Sequence, residues 1–146
     1  MAILTLAQGV KIAEAALEKG RVAGMHPLTV AVLDAGGHLV AFMRQDESGI
    51  LRPEIAMGKA YGALGFGLGS RELREKNPQF LASVAAASGG KMVPVPGGVL
   101  IRDPETGAII GAVGISGDVS DNDEAAASAG IEAAGLKADA GADAAT

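Results

Sequence analysis

Residues 28–46, LTVAVLDAGGHLVAFMRQD, constrain the fold of this chain more than any other stretch. Two short runs within it, 28–33 and 38–44, are rich in apolar and β-branched residues, which is typical of strands. The first run is typical of a strand that is buried on both faces. A Gly-Gly pair between the runs suits the positive φ angles of a tight hairpin turn. We therefore predict an antiparallel hairpin at the centre of the domain. We expect His38 and Arg44, the two end residues of its second strand, to share a face.

The composition excludes several classes of protein. The 146 residues contain no cysteine, which excludes disulfides, thiolate catalysis and Cys-ligated metal, and we expect no metal site. A net charge of −5 with one Tyr and no Trp argues against a nucleic-acid partner. No apolar run approaches the roughly 20 residues of a membrane span, so we expect no membrane partner. The N-terminus lacks a basic and apolar signal segment, which favours the cytoplasm.

The remaining patterns predict a single α+β domain over residues 1–136. A capping box at Thr5 and Gln8 opens the first helix, and Pro53 suits the first turn of the second. Hairpin connections between strands indicate an antiparallel sheet with helices packed on it. Residues 137–146 contain only Ala, Gly, Asp, Lys and Thr and are predicted to be a disordered tail. The predicted helices are 5–19, followed by Gly20, 49–68, 70–77, which is capped by Ser70 and ended by Pro78, and 124–136, which is capped by Ser120 or Asp121. One or two more helical turns are predicted in 79–87. The other predicted strands are 91–95, 99–103 and 108–116.

The second helix carries four glycines, Gly58, Gly62, Gly65 and Gly69, along one stripe. Each glycine in a helix interior costs roughly 0.5–1 kcal/mol relative to alanine, so another interaction must compensate. One explanation is close packing of the helix backbone against the sheet or a neighbouring helix. The other is that a flat ligand or a partner subunit lies against the stripe, and the sequence leaves both open.

Five blocks of the sequence together match one known family. They are DAGGHLV at 34–40 with Arg44, residues 55–61, VPGGV at 95–99, IGAVGISG at 110–117, and Asp123 with Glu124. In this order they resemble the GlcG/HbpS family of small haem-binding proteins, which includes the C-terminal domain of PduO-type corrinoid adenosyltransferases. The resemblance implies a profilin-like three-layer sandwich, with a five-stranded antiparallel sheet flanked by helices, that assembles into homo-oligomers. It also implies haem as a cofactor for some members, while others belong to operons for glycolate, propanediol or aromatic catabolism.

Two kinds of residue are candidates for a site in such a protein. His38 offers an imidazole that is suited to haem ligation or proton transfer. Tyr61 is a second candidate haem ligand, and Glu54, seven residues earlier on the same helix face, is a candidate general base. Basic residues are expected to gather at the mouth of the site and bind a carboxylate. These are Arg44, Lys59 and Lys91; Gly97 and Gly98 are added as candidate cofactor contacts.

Three functions remain open at this point. The first is a homo-oligomeric small-molecule or cofactor-binding protein, with haem as the leading ligand. The second is an enzyme of a catabolic operon that acts on a small organic acid or carbonyl compound, in which His38 or Glu54 moves protons and Arg44 holds the carboxylate. The third is a non-catalytic accessory oligomer. The sequence does not decide whether there is turnover.

Overall fold

The computed structural model describes residues 2–142. Five helices and five strands alternate in groups along this part of the chain. No helix among these residues is both long enough and apolar enough to cross a membrane. The elements are α1 Leu6–Val22, β1 Thr29–Asp34, β2 Leu39–Arg44, α2 Arg52–Phe66, α3 Ser70–Leu73, α4 Pro78–Ala87, β3 Gly98–Arg102, β4 Ile109–Ser116, α5 Ser120–Ala133 and β5 Lys137–Asp139.

The strands form one antiparallel sheet in the order β2-β1-β4-β3-β5, covered by helices on both faces. On one face, alternate side chains of β1 and β4 pack against α1 and α5 in a core that contains Ile12, Val30 and Ile131. On the other face, Leu33 and Leu100 pack against Ala60 and Ala63 of α2. The predicted α+β three-layer sandwich is thereby confirmed.

Close approach of α2 to the sheet depends on a glycine in β4. A Cβ atom built on Gly114 would collide with the backbone carbonyl of Ala56. Since α2 crosses β4 at this point, the contact fixes the depth at which the helix lies. The residues of α2 that face outward, Glu54 and Tyr61 among them, are positioned by this packing.

The identity of the fifth strand differs from the prediction. Residues 91–95 are not a strand, because Pro94 within this segment and Pro96 just after it have no N–H group to donate to a sheet. Instead, β5 pairs with β3, and Arg102 Nε donates to Asp139 Oδ2 at 2.8 Å across the pair. The prediction of a disordered tail is therefore wrong for residues 137–142, while 143–146 lie outside the described residues.

Several helix ends also differ from the predictions. The Thr5–Gln8 capping box is confirmed, but Gly20 lies inside α1, which ends at Val22. Pro78 begins α4 rather than ending a helix, because the Asn77 side chain accepts the backbone N–H groups of the first turn. The buried Ser70 hydroxyl does not cap α3; it donates to the carbonyl of Val95 and accepts from the N–H of Gly98. Ser120 is the first residue of α5, whose N-cap is Val119.

A β-bulge in the hairpin overturns the prediction that His38 and Arg44 share a face. Val32 pairs with Ala41, but the next residue, Leu33, pairs with Leu39, so Val40 has no partner. Val40 and Ala41 both lie against α1, where a Cβ atom on Gly9 would be 2.8 Å and 3.6 Å from them. One extra residue reverses the alternation of side chains, and the six-residue spacing no longer indicates a common face.

Candidate functional site

A cleft of about 430 Å³ lies between α2, the β1–β2 hairpin and the loop that follows α4. We call it the Tyr61 cleft. Its walls are mostly apolar, and its polar groups are the Tyr61 phenol, the Glu54 carboxylate and the Lys91 ammonium. The prediction that Glu54 and Tyr61 lie on one helix face is confirmed, because both line this cleft. The lining residues are Leu33, Gly37, Leu39, Glu54, Met57, Gly58, Tyr61, Gly89, Gly90 and Lys91.

The Tyr61 ring is held between the hairpin turn and a lysine. A Cβ atom on Gly37, which has a φ of 81°, would lie 3.1 Å from the ring, so a glycine here lets the ring pack on the turn. On the cleft side, Lys91 Nζ lies 5.6 Å from the ring centroid, a cation–π distance. The side chain of Tyr61 is nevertheless exposed, so its hydroxyl is accessible to a ligand.

The glycine stripe of α2 is covered in part by the protein itself. A Cβ atom on Gly58 would be 2.5 Å from Val93, and one on Gly62 would be 2.6 Å from Met92. Close packing therefore accounts for these two glycines, and Val93 N–H also donates to the carbonyl of Gly58. Gly65 has open space and lines a smaller cleft of about 190 Å³ on the other side of Tyr61.

Lys59 is buried, with a residue exposure of 2%. Its ammonium donates to Ile115 O at 2.9 Å and to Asp123 Oδ2 at 3.1 Å, and Asp123 is only 1% exposed. Burial lowers the pKa of Lys59 and raises that of Asp123, while the attraction between the two charges opposes both shifts. Through these partners the buried ammonium joins α2 to β4 and to α5, and it is not available to an external carboxylate.

Gly97 and Gly98 lie beside this ion pair and are buried. A Cβ atom on Gly97 would be 2.8 Å from Lys59 Nζ, and one on Gly98 would collide with the Lys59 carbonyl. Their lack of side chains lets the chain pass close to α2. The structure therefore places them against Lys59 and away from the Tyr61 cleft.

His38 lines a different cleft, of about 740 Å³, beside the N-terminal segment and the β3–β4 turn. Its side chain is 80% exposed, and Nδ1 lies 3.1 Å from Asp34 Oδ1. The backbone N–H of His38 also donates to this carboxylate, and that bond is the main cause of the lowered pKa of Asp34. With Nδ1 directed at Asp34, Nε2 is the nitrogen available to a ligand or a proton.

Arg44 lies apart from both clefts. Its Nε donates to the carbonyl of Ser48 at 2.9 Å, and it lines a third depression next to Arg21 and Gln45. The predicted gathering of three basic residues therefore does not occur: Arg44 is remote, Lys59 is buried, and Lys91 alone of the three reaches the Tyr61 cleft.

Sequence reasoning did not identify the apolar walls of the Tyr61 cleft or the role of Asp123 as the partner of Lys59. Leu39 could have been found, since it is an apolar residue next to a Gly-Gly turn on an edge strand. The Lys59–Asp123 pair joins residues 64 positions apart, and no local pattern reveals such a contact.

Comparisons with known proteins find matches that cover most of this chain. Residues 4–132 match the family described as "Haem degrading protein HbpS-like". The structure of the complex of PduOC with haem is 25% identical, with a TM-score of 0.83, covering 92% of this chain and 97% of that chain. The structure of HbpS is 28% identical, with a TM-score of 0.76 and 90% of both chains covered.

A relative of known sequence is an uncharacterized 15.0 kDa protein of the dhaT-dhaS intergenic region of Citrobacter freundii. It is 27% identical over 134 residues, which are 90% of this chain and 92% of the relative. Together with the match over residues 4–132, the order of the sequence blocks and the shared fold lead to one conclusion. The chain belongs to the HbpS-like family.

Proposed function

We propose that this protein binds haem in the Tyr61 cleft. The observation that carries the proposal is that Tyr61, an exposed side chain, lines a cleft with apolar walls. A tyrosine phenolate is an established protein ligand of haem iron, and apolar side chains suit the porphyrin faces. The structure of a haem complex of PduOC, a relative with the same fold, supports the proposal.

The residues of the cleft have separate roles in this proposal. Leu33, Leu39 and Met57 provide the apolar surface, and Tyr61 provides the oxygen ligand. Lys91 provides a positive charge at the same cleft for an acidic group of the ligand. Bound haem would supply redox or oxygen chemistry, and the chain would supply its orientation and shielding from water.

His38 is the competing ligand. Its Asp34-oriented imidazole is a chemically suitable ligand, since a hydrogen bond to one ring nitrogen fixes the other for coordination. However, His38 lines a cleft that is separated from Tyr61 by the hairpin turn, so the two side chains define different sites. The Tyr61 cleft is favoured because Lys91 lies in it.

A haem titration followed in the Soret region tests the proposal. The wild-type protein should shift the Soret band at micromolar concentration. Tyr61→Phe should weaken binding about tenfold or more, because loss of even a hydrogen-bond partner of a metal ligand costs about 10–100-fold in affinity. His38→Ala is the matched variant and should bind like the wild type. No Soret shift, or equal binding by Tyr61→Phe, would refute the assignment. Loss of binding in His38→Ala alone would move the site to the other cleft.

An enzyme that acts on a small organic acid or carbonyl compound is the alternative. Glu54 favours it, because its carboxylate lines the same cleft as the Tyr61 phenol and the Lys91 ammonium, an arrangement suited to proton transfer on an anionic substrate. The relative encoded in the dhaT-dhaS intergenic region supports an operon context. Turnover of such a compound that is abolished in Glu54→Gln would establish the alternative. A cytoplasmic location and assembly into homo-oligomers remain predictions.

A further inference from the structure

We infer that Lys91 makes the Tyr61 cleft selective for planar ligands that carry a carboxylate. Its ammonium leaves the face of the Tyr61 ring and binds the carboxylate of the ligand instead. The inference rests on the proposed function of the Tyr61 cleft as a ligand site, but it does not depend on iron. It assigns the chemical class of the ligand to one side chain.

The first observation is where the Lys91 ammonium lies. It sits 5.6 Å from the Tyr61 centroid, on the side of the ring that lines the cleft. A planar molecule that occupies the cleft on this side of the ring must displace the ammonium. Among residues 2–142 no carboxylate forms an ion pair with Lys91, although Glu54 lines the same cleft. The displaced ammonium is therefore stabilised most by a ligand that carries an anionic group.

The second observation is that the backbone on both sides of Lys91 is anchored. Gly90 N–H donates to the carbonyl of Ala85 at 2.8 Å, and Val93 N–H donates to the carbonyl of Gly58 at 3.1 Å. Met92 is buried between them. The exchange therefore requires only rotation of the long Lys91 side chain, whose staggered rotamers interconvert quickly at an exposed position.

The two contacts of the ammonium differ in strength. An exposed cation–π contact is weaker than a charge-assisted hydrogen bond to a carboxylate. An anionic planar ligand thus gains more than it displaces, whereas a neutral planar ligand of the same shape must displace the cation without compensation. Lys91 therefore strengthens the binding of anionic planar ligands and weakens the binding of neutral ones.

The chain offers a clean reporter and a matched control. Tyr61 is the only tyrosine and there is no tryptophan, so tyrosine emission reports this cleft alone. Lys76 lies over the Phe66 ring at 5.9 Å, a similar cation–π contact outside the Tyr61 cleft. Lys76→Met therefore removes an equivalent surface charge and contact without touching the site.

The experiment measures quenching of Tyr61 emission by two probes of equal ring size, 1-pyrenecarboxylate and the neutral 1-pyrenemethanol. The wild type should prefer the carboxylate. Lys91→Met should raise the Kd of the carboxylate about tenfold and lower that of the alcohol about twofold. Lys76→Met should change neither, and Glu54→Gln should tighten the carboxylate by about twofold because a like charge is removed.

The inference fails if Lys91→Met changes both Kd values by the same factor or leaves both unchanged. It also fails if neither probe quenches Tyr61 in the wild type. The haem titration separates this inference from the proposed function. Absence of haem binding with diverging pyrene affinities refutes haem alone, and haem binding without that divergence refutes the role of Lys91 alone.

Discussion

Breaking the buried Lys59–Asp123 pair should destabilise the fold strongly. Asp123→Asn leaves the buried ammonium without a countercharge, and Lys59→Met leaves the buried carboxylate with the N–H of Asp118 and no countercharge. At the observed N–O separation of 3.1 Å and an effective dielectric constant of about 20, the lost attraction is about 5 kcal/mol. Removal of one partner of a buried pair usually costs about 3–5 kcal/mol. We therefore expect each substitution to lower the free energy of unfolding by about 3–5 kcal/mol.

Urea unfolding at a fixed subunit concentration measures this effect. The double variant should lose less than the sum of the two single losses, because it leaves no unpaired buried charge. Glu18→Gln is the control, since its pair with Arg21 is exposed and its loss should leave the urea midpoint nearly unchanged. Single variants within about 1 kcal/mol of the wild type, or additive losses in the double variant, would refute the assignment of this pair as a stabilising link between α2 and α5.

Three further effects follow from the packing and charges. Gly114→Ala should destabilise the protein by at least about 1–3 kcal/mol in urea, because its Cβ meets the carbonyl of Ala56; an unchanged midpoint would contradict this. Gly65→Ala should stabilise by about 0.5–1 kcal/mol, since its Cβ enters open space in a helix, and a lower melting temperature would contradict it. The Asp118 carboxylate accepts the backbone N–H of His26, and this bond lowers the pKa of Asp118 from its ordinary value of 3.8. The bond therefore stabilises the fold above that pH, and the stabilisation is lost as the pH falls through the lower pKa of the folded state. Asp118→Asn should flatten the acid limb of the unfolding curve, and an unchanged limb would argue against this bond.

The local patterns of the sequence predicted the fold to a large extent. The hairpin glycines, the Thr5 capping box and the apolar runs of β1 and β4 each state a local preference that the tertiary structure keeps. The errors occur where a distant partner decides. β5 forms because it pairs with the edge of β3. Ser70 does not cap its helix because its hydroxyl donates to the carbonyl of Val95 instead.

The candidate site was predicted less well, for two physical reasons. A bulge at Val40 reversed the face of every residue beyond it, and no residue pattern in the strand indicates that extra position. Lys59 reads as a surface cation until Asp123 is brought to it by the fold. Glu54 and Tyr61 were placed together correctly because helix periodicity alone sets their relation.

The most direct test of the central claim is an anomalous difference map, collected at the iron absorption edge, from a crystal grown with haem. The account predicts an iron peak beside the Tyr61 hydroxyl, with the porphyrin between Met57 and Leu39. An iron peak beside His38, or no iron bound to the protein, would contradict it.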